Sequence, residues 1–303
     1  MAKDKIAICF SGQTRHFNDE RRYTNDFYEI LELFDDYDYD LFGHTWADHK
    51  FPHGEIKQRF KECRRTDQEI IWDNILFHSA HGKEYGLHWE QFFQSNEDWY
   101  HKPEYMDILS GKSDVSYIDF AKERIKGTAG QVWSAHESFL LTKPYFESSN
   151  YVAVIKLRWD LMIKRYEGDD WVNTNKERFK NMLSNWINKE VDFRNPFHYP
   201  TCLCVDDFII TERSSPYAND HIFAMHGDEF SNSKILKLTP IQFLSSLLLS
   251  YQPSTQTLPV LPSAHTLWME WILHAGFTVS PKLPNITQAN GPSEGKINKE
   301  WNI

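Results

Sequence analysis

A near-continuous apolar run in the middle of the chain predicts a buried strand. Residues 151–165 read Tyr-Val-Ala-Val-Ile-Lys-Leu-Arg-Trp-Asp-Leu-Met-Ile-Lys-Arg, and the first part is rich in β-branched and apolar side chains. Such a run is typical of a strand that is covered on both faces. Arg158 and Asp160 stand two residues apart near its end, so at the period of a strand they share one face. Because an unpaired buried charge is costly, we expect something polar to meet them there.

Two earlier apolar segments predict a strand, a helix and a second strand. Ile6 to Phe10 reads as a short buried strand, a helix is expected around Asn25 to Phe34, and Tyr39 to Thr45 reads as the next strand. Two strands joined through a helix in this way are most often parallel. The order is the opening of a doubly wound α/β fold, a mostly parallel sheet flanked by helices.

The rest of the pattern extends one domain over residues 1–283. Further helices are predicted over residues 128–142, 176–187, 240–251 and 263–274, with strand material over 193–211 and 277–280. Residues 48–126 interrupt the alternation of predicted strands and helices with charged and aromatic residues and short helical segments. No Pro/Gly/Ser-rich linker stands at either end of this range. We interpret them as a helical insertion rather than a separate domain. Residues 284–303 form a polar C-terminal tail with little to bury.

Composition excludes several classes of protein. The chain has 303 residues, 41% hydrophobic and 15% aromatic, which excludes a disordered chain. Its net charge of -10, with 33 basic against 43 acidic residues, argues against a nucleic-acid-binding surface. The four cysteines are too sparse for a disulfide scaffold and are expected to be reduced thiols. We found neither a signal-peptide pattern nor an integral membrane segment, so we expect a soluble cytoplasmic protein.

The polar turn after the first strand is a candidate binding loop. It reads Ser11-Gly12-Gln13-Thr14-Arg15. Gly12 would let backbone approach a ligand, and Arg15 would grip phosphate oxygens in bidentate fashion. The turn matches neither the phosphate loop of ATPases nor the dinucleotide fingerprint, and an ordinary turn is an equal alternative. Gln131, near the start of the helix expected over residues 128–142, is a weaker candidate, because this end would lie near the carboxyl edge of the sheet only if the helix ran antiparallel to the preceding connection.

Four short motifs together resemble a known group of enzymes. They are Ser-Gly-Gln-x-Arg after the first strand, Asp40-Leu-Phe-Gly-His-Thr-Trp46 on the second, Arg158-x-Asp160 on the central strand, and Asn219-Asp-His-Ile-Phe-Ala-Met225 later in the chain. This combination is similar to bacterial and viral polysaccharide-synthesis glycosyltransferases of the GT-A fold, including the WavE-like family. The resemblance implies a GT-A-like fold and transfer of a sugar from a nucleoside-diphosphate sugar to a glycan or other hydroxyl acceptor.

The resemblance also implies a divalent cation, Mn²⁺ or Mg²⁺, at the donor diphosphate. Asp160 would hold it, in place of the last aspartate of the family's Asp-x-Asp motif, since hard cations prefer carboxylate oxygens. Arg158 stands where the family usually has the first aspartate, and would supply positive charge to the diphosphate instead. Residues 11–15 would receive the nucleotide, with Thr45 or Trp46 beside it.

An inverting transfer needs a base for the acceptor hydroxyl, and a carboxylate is the usual one. Asp220 is the first candidate, with Asp207 and Glu270 behind it. A helix cap is the alternative for Asp220, a surface turn for Asp207 and a solvated helix face for Glu270. Further candidates, each less favoured than an ordinary packing role, are His226 or His265 in the metal shell, and Trp46 or Trp159 against a sugar ring.

Two readings from other classes stay open. The chain would be a non-catalytic nucleotide- or carbohydrate-binding protein if it kept the fold without turnover, and the missing first aspartate favours this. A metal-dependent phosphoesterase would require a His and Asp cluster for two metals, and the sequence has no convincing spacing for one. The donor base and sugar, the acceptor, the stereochemical outcome and the oligomeric state are left open by the sequence.

Overall fold

The frame of the protein is a six-stranded sheet. The computed structural model describes residues 3–14, 20–49, 54–71, 117–163, 169–190, 202–205, 209–210, 222–241 and 264–277. Within these ranges the strands are β1 Lys5–Ser11, β2 Asp38–Trp46, β3 Phe60–Thr66, β4 Ala153–Arg158, β5 Met162–Ile163, β6 Cys202–Val205, β7 Ile209–Ile210 and β8 Ile222–His226. Strands β5 and β7 pair with each other in a separate antiparallel ribbon.

Seven helices have both ends within the described ranges. They are α1 Glu20–Leu31, α2 Gly54–Arg59, α3 Tyr117–Leu140, α4 Phe146–Ser149, α5 Asp169–Ile187, α6 Gly227–Asn232 and α7 Ala264–His274. Two short 3-10 turns follow α1 and precede α4, at Glu32–Phe34 and Lys143–Tyr145. None of the helices in these ranges is both long and apolar enough to cross a membrane.

The sheet order is β3-β2-β1-β4-β8-β6, and its first four strands run parallel. Strand β8 is antiparallel to both β4 and β6, so β6 again points the same way as β4. The expected mostly parallel α/β sheet is therefore confirmed, including the parallel pairing of β1 with β2. Ser11 is the register partner of Arg158, so β1 and β4 end side by side.

Two apolar clusters cover the two faces of the sheet. Alternate residues of β1 divide between them: Ile6, Ile8 and Phe10 join one cluster with α1 and α5, while Ala7 and Cys9 join the other with α3 and α7. This alternation is what the period of a strand requires when both faces are covered. The β1 side chains are almost fully buried, so the central strands form a rigid base for residues at their ends.

The central strand is shorter than the apolar pattern predicts. Sheet pairing of β4 ends at Arg158, and Trp159 and Asp160 form a turn. Leu161 and Ile163 are buried all the same, because they pack into the cluster that contains α1. Continued burial therefore preserved the apolar pattern after the chain had left the sheet, which is why the strand was expected to include Asp160 and in fact ends at Arg158.

Residues 48–126 contain more sheet than expected. Strand β3 lies in this range and forms the edge beside β2, preceded by the short helix α2. Its exposed residues are charged, as is common for a strand at the edge of a sheet. Because of these charges, the sequence lacks the apolar pattern by which a buried strand is predicted. Residues 72–116 lie outside the described ranges, as does the tail from 284, so the insertion and the tail stay predictions. Cys9 and Cys63 are free thiols.

Candidate functional site

The chain turns sharply at Gly12, directly after β1. Gly12 has a φ of 98°, in the left-handed region that glycine adopts readily. Apart from its two chain neighbours, no described residue has an atom within 4 Å of a Cβ placed here. The turn therefore combines a glycine-specific backbone with space that no described residue fills, at the edge where β1, β2 and β4 end.

Two buried hydroxyl groups hold the backbone of Gly12. Its N–H donates to Ser134 Oγ of α3 at 2.7 Å, and its carbonyl oxygen accepts from Thr45 Oγ1 of β2 at 2.9 Å. Ser134 and Thr45 are both fully buried. We call this arrangement the Gly12 clamp, meaning Ser134 and Thr45 bound to the two polar groups of Gly12. Because α3 and β2 are parts of the core, the clamp fixes the turn to the rigid frame.

The side chain of His44 connects the clamp to β3. Its Nδ1 lies 2.8 Å from Ser134 Oγ and its Nε2 lies 2.5 Å from Thr66 Oγ1 on β3. The imidazole is fully buried, and this burial, together with the nearby charge of Arg64, lowers the pKa of His44 to about 3. The ring is therefore neutral at pH 7, with one nitrogen donating and the other accepting a hydrogen bond. It serves as a fixed connector between two hydroxyl groups.

Trp159 ties the end of β4 to β1 and β2. Its backbone N–H donates to Ser11 O at 3.4 Å, and its indole N–H donates to His44 O at 2.7 Å. The ring packs against Phe10 with centroids 4.9 Å apart and is only 3% exposed. A Cβ at Gly43 would lie 2.8 Å from this ring, so β2 needs glycine there. Trp159 is thus a core residue and presents no ring surface for stacking against a sugar.

Arg158 and Asp160 are bound to each other. Arg158 Nε donates to Asp160 Oδ1 at 2.9 Å, and Nη2 donates to Oδ2 at 2.8 Å. This bidentate geometry is the strong form of an arginine–carboxylate pair. The Asp160 side chain is 2% exposed, whereas the Arg158 side chain is 16% exposed. The carboxylate lies inward and the guanidinium lies nearer the surface, next to the end of β1.

The described residues do not fit a divalent cation at Asp160. Both carboxylate oxygens already accept hydrogen bonds from Arg158. Nowhere in the described ranges do three or more His, Cys, Asp or Glu side chains come together as metal ligands. Hard cations take several oxygen ligands, so a cation here would have to displace the arginine and recruit others. The metal role of Asp160 stays a prediction.

Other predicted residues fall into place around this edge. Trp46 is 1% exposed in the core, where the ring lies against α3 at Gly130, so it is not beside an open site. Helix α3 begins at Tyr117, so Gln131 lies well inside the helix rather than at its start, one turn before Ser134. Gln13 is half-buried in the turn. Arg15 lies outside the described residues.

In the sequence, the two candidate bases stand close to residues that end or begin strands at this edge of the sheet. Val205 at the end of β6 pairs with Ile222 at the start of β8, and Ile222 pairs with Leu157 at the end of β4. Asp207 and Asp220 lie outside the described residues, each two positions from these strand ends. The helix-cap alternative for Asp220 is wrong, because the apolar run that follows forms β8.

His226 lies too far from Arg158 to join a metal shell there. It is the register partner of Ala153, at the opposite end of β4. Its ring stacks on Trp186 at 3.9 Å, and its burial lowers the pKa to about 4. A packing role therefore replaces the predicted ligand role. The side chains of His265 and Glu270 are outside the described part of the structure.

Sequence reasoning missed Ser134 and Thr66 as parts of the site. Ser134 was visible only as a polar residue within the apolar stretch 132–135, a weak signal because helices tolerate buried serines that bond their own backbone. Its partner Gly12 lies 122 positions away. The sequence marks His44 only as a member of the second motif and predicts Thr45 beside the nucleotide, and neither pattern indicates a bond to the turn at Gly12.

Comparison with known proteins leaves the geometry as the principal guide to function. No family model, curated protein or solved structure matches the chain.

Proposed function

We propose that this chain is a glycosyltransferase that transfers a sugar from a nucleoside-diphosphate sugar to a glycan-type hydroxyl acceptor. The observation that carries the proposal is the pairing of Ser11 with Arg158. This pairing places the turn at Gly12, where no described residue fills the space in front of the backbone, beside the partly exposed guanidinium of Arg158 at the end of the neighbouring strand. Ligands of open α/β sheets bind beyond the carboxyl ends of the strands, which supports the donor at this edge.

The chemistry of the donor explains the arginine. Transfer breaks the bond between the sugar's anomeric carbon and a diphosphate oxygen, and the electron pair stays on the diphosphate. A guanidinium stabilises this growing negative charge and matches phosphate oxygens geometrically. Asp160 orients Arg158 through two hydrogen bonds, so the guanidinium is held in place before the donor binds. We assign the diphosphate to Arg158 and to the turn of residues 11–15.

The acceptor hydroxyl must lose a proton as the new bond forms. We assign this step to Asp220, with Asp207 as the alternative, since a carboxylate is a suitable base. Support comes from the strand ends nearby: β6 leaves the sheet and β8 enters it beside Leu157, one residue before Arg158. The proton passes from the acceptor oxygen to the carboxylate, and the acceptor oxygen forms the bond to the anomeric carbon.

A non-catalytic binding protein is the second candidate. The specific observation in its favour is that Asp160 is already engaged by Arg158, and the described residues bring no other metal ligands to it. A fold that retained the nucleotide site without the metal of related enzymes would bind without turnover. The two candidates share the binding site and differ only in whether the donor is cleaved.

A thermal-shift panel tests the shared site. UDP, GDP, CDP, ADP and sugar derivatives of each would be added with EDTA and, separately, with Mn²⁺. A ligand that binds only the native state raises the melting temperature, so we expect a selective rise with one base, already in EDTA. Arg158→Ala should lose the rise, while Arg178→Ala, at an exposed position of α5, should keep it. No rise with any nucleotide contradicts the proposal.

A further inference from the structure

We infer that Ser134 and Thr45 are positioning residues, which hold the turn after β1 in the shape that a nucleoside diphosphate requires. The inference rests on the proposed function and adds residues that act through Gly12 rather than on the ligand. Gly12 is bound at both its N–H and its carbonyl oxygen, at 2.7 and 2.9 Å. The two hydroxyl groups come from different elements, α3 and β2, so together they fix the orientation of the peptide groups on either side of Gly12.

Burial makes these bonds effective. Ser134 and Thr45 are each 0% exposed, so bulk water does not compete for their hydroxyl groups. By contrast, a Cβ added at Gly12 would lie more than 4 Å from every described residue other than its chain neighbours. One side of the turn is therefore bonded to the core, and the other side is not covered by any part of the chain that the structure describes, as expected for backbone that receives a ligand.

The clamp is connected to Arg158 through His44. Ser134 Oγ lies 2.8 Å from His44 Nδ1, and the carbonyl of His44 accepts the indole N–H of Trp159 at 2.7 Å. Trp159 stands between Arg158 and Asp160 in the chain. These bonds set the position of the turn relative to the Arg158 guanidinium. Loss of the clamp would let the turn shift relative to Arg158, and in the proposed site the turn and Arg158 bind the same diphosphate.

The chain contains matched controls for each hydroxyl. Ser138 is one turn after Ser134 on α3 and equally buried, but it donates only to Ala135 O of its own helix, at 2.7 Å. Ser134→Ala removes the clamp's bond to the Gly12 N–H, and Ser138→Ala leaves both bonds of the clamp in place. Thr45→Val keeps the shape and removes the hydroxyl, while Thr45→Ser keeps the hydroxyl and removes a methyl group. If Thr45 acted through packing alone, Thr45→Ser would be at least as harmful as Thr45→Val.

Two readouts decide the inference. Hydrogen exchange by mass spectrometry follows the amides of residues 12–14 without ligand, and calorimetry measures the dissociation constants of UDP, GDP, CDP and ADP. We expect Ser134→Ala and Thr45→Val to speed exchange and weaken binding about tenfold, as the loss of one buried hydrogen bond implies. Ser138→Ala and Thr45→Ser should stay within about twofold of the wild type.

The two proposals fail in different ways. Unchanged exchange in Ser134→Ala and Thr45→Val overturns the clamp, whatever the binding result. Equal binding by Thr45→Val and the wild type overturns the positioning role even if exchange rises. A wild-type chain that binds none of the four nucleotides overturns both the proposed function and the positioning role, and exchange then reports only whether the clamp holds the turn.

Discussion

Arg158 donates two parallel hydrogen bonds to Asp160, at 2.9 and 2.8 Å, across the turn that ends the central strand. The two residues are close because β4 ends at Arg158 and the chain turns at Trp159 and Asp160. The buried carboxylate thus has a partner of opposite charge, and the guanidinium is held at the sheet edge. This pair replaces the two-aspartate arrangement as the organising feature of the proposed donor site.

Breaking the pair should destabilise the protein. Asp160→Asn keeps the shape and removes the charge that faces Arg158, so we expect the free energy of unfolding to fall by about 2 kcal/mol, as for a lost charged hydrogen bond. Urea unfolding measures the change. Asp36→Asn, at an exposed turn position, serves as the control and should be neutral. Equal stability of Asp160→Asn and the wild type would show that the pair contributes nothing.

The engaged carboxylate also predicts the response to metal. Without nucleotide, Mn²⁺ should leave the melting temperature of the wild type unchanged, because both Asp160 oxygens are bonded to Arg158. Differential scanning fluorimetry over a series of Mn²⁺ concentrations checks this. A rise in the wild type that disappears in Asp160→Asn would instead identify Asp160 as a metal ligand and restore the original expectation.

Gly43 is predicted to be essential for packing at the end of β2. In Gly43→Ala the new methyl group would lie 2.8 Å from the Trp159 ring and 2.9 Å from Cys63 Sγ. Such overpacking costs about 1–3 kcal/mol, measurable by urea unfolding. Gly127→Ala is the matched control on α3, where a Cβ would meet nothing within 4 Å, so alanine should stabilise through helix propensity. A neutral Gly43→Ala contradicts the packing described for Trp159.

Stability should fall as the pH drops from 6.5 toward 4. Burial lowers the pKa of His136 from 6.5 to about 4, and neither ring nitrogen has a hydrogen-bond partner among the described residues. Between these values the unfolded chain binds a proton that the native chain does not, which costs up to about 1.4 kcal/mol per pH unit. His44 acts in the same direction.

Replacing His136 isolates its share of this dependence. His136→Phe keeps an aromatic ring between Trp133 and Trp271 and removes the titrating group. Urea midpoints measured at several pH values between 4 and 7 should therefore vary less steeply than in the wild type. An unchanged slope would mean that His136 is protonated as easily in the native chain as in the unfolded one.

Much of the frame could be predicted from the chain, and much of the site could not. Apolar runs at Ile6 and Tyr151 identified the central strands, and the rule that ligands bind at strand ends pointed to Ser11 and Arg158. The clamp escaped prediction because a buried serine in a helix carries no sign of a partner 122 positions away. The pairing of Arg158 with Asp160 depends on a turn that apolar periodicity does not reveal.

The central claim is that Arg158 stabilises a departing nucleoside diphosphate. The most direct measurement is the release of nucleoside diphosphate from its sugar donor, in EDTA, by the wild type and by Arg158→Lys, which keeps the charge but loses the bidentate fork. The account predicts release by the wild type and a loss of at least about tenfold in Arg158→Lys, which would correspond to about 1.4 kcal/mol in the barrier. Tight donor binding with no release by the wild type would contradict it and leave a binding protein.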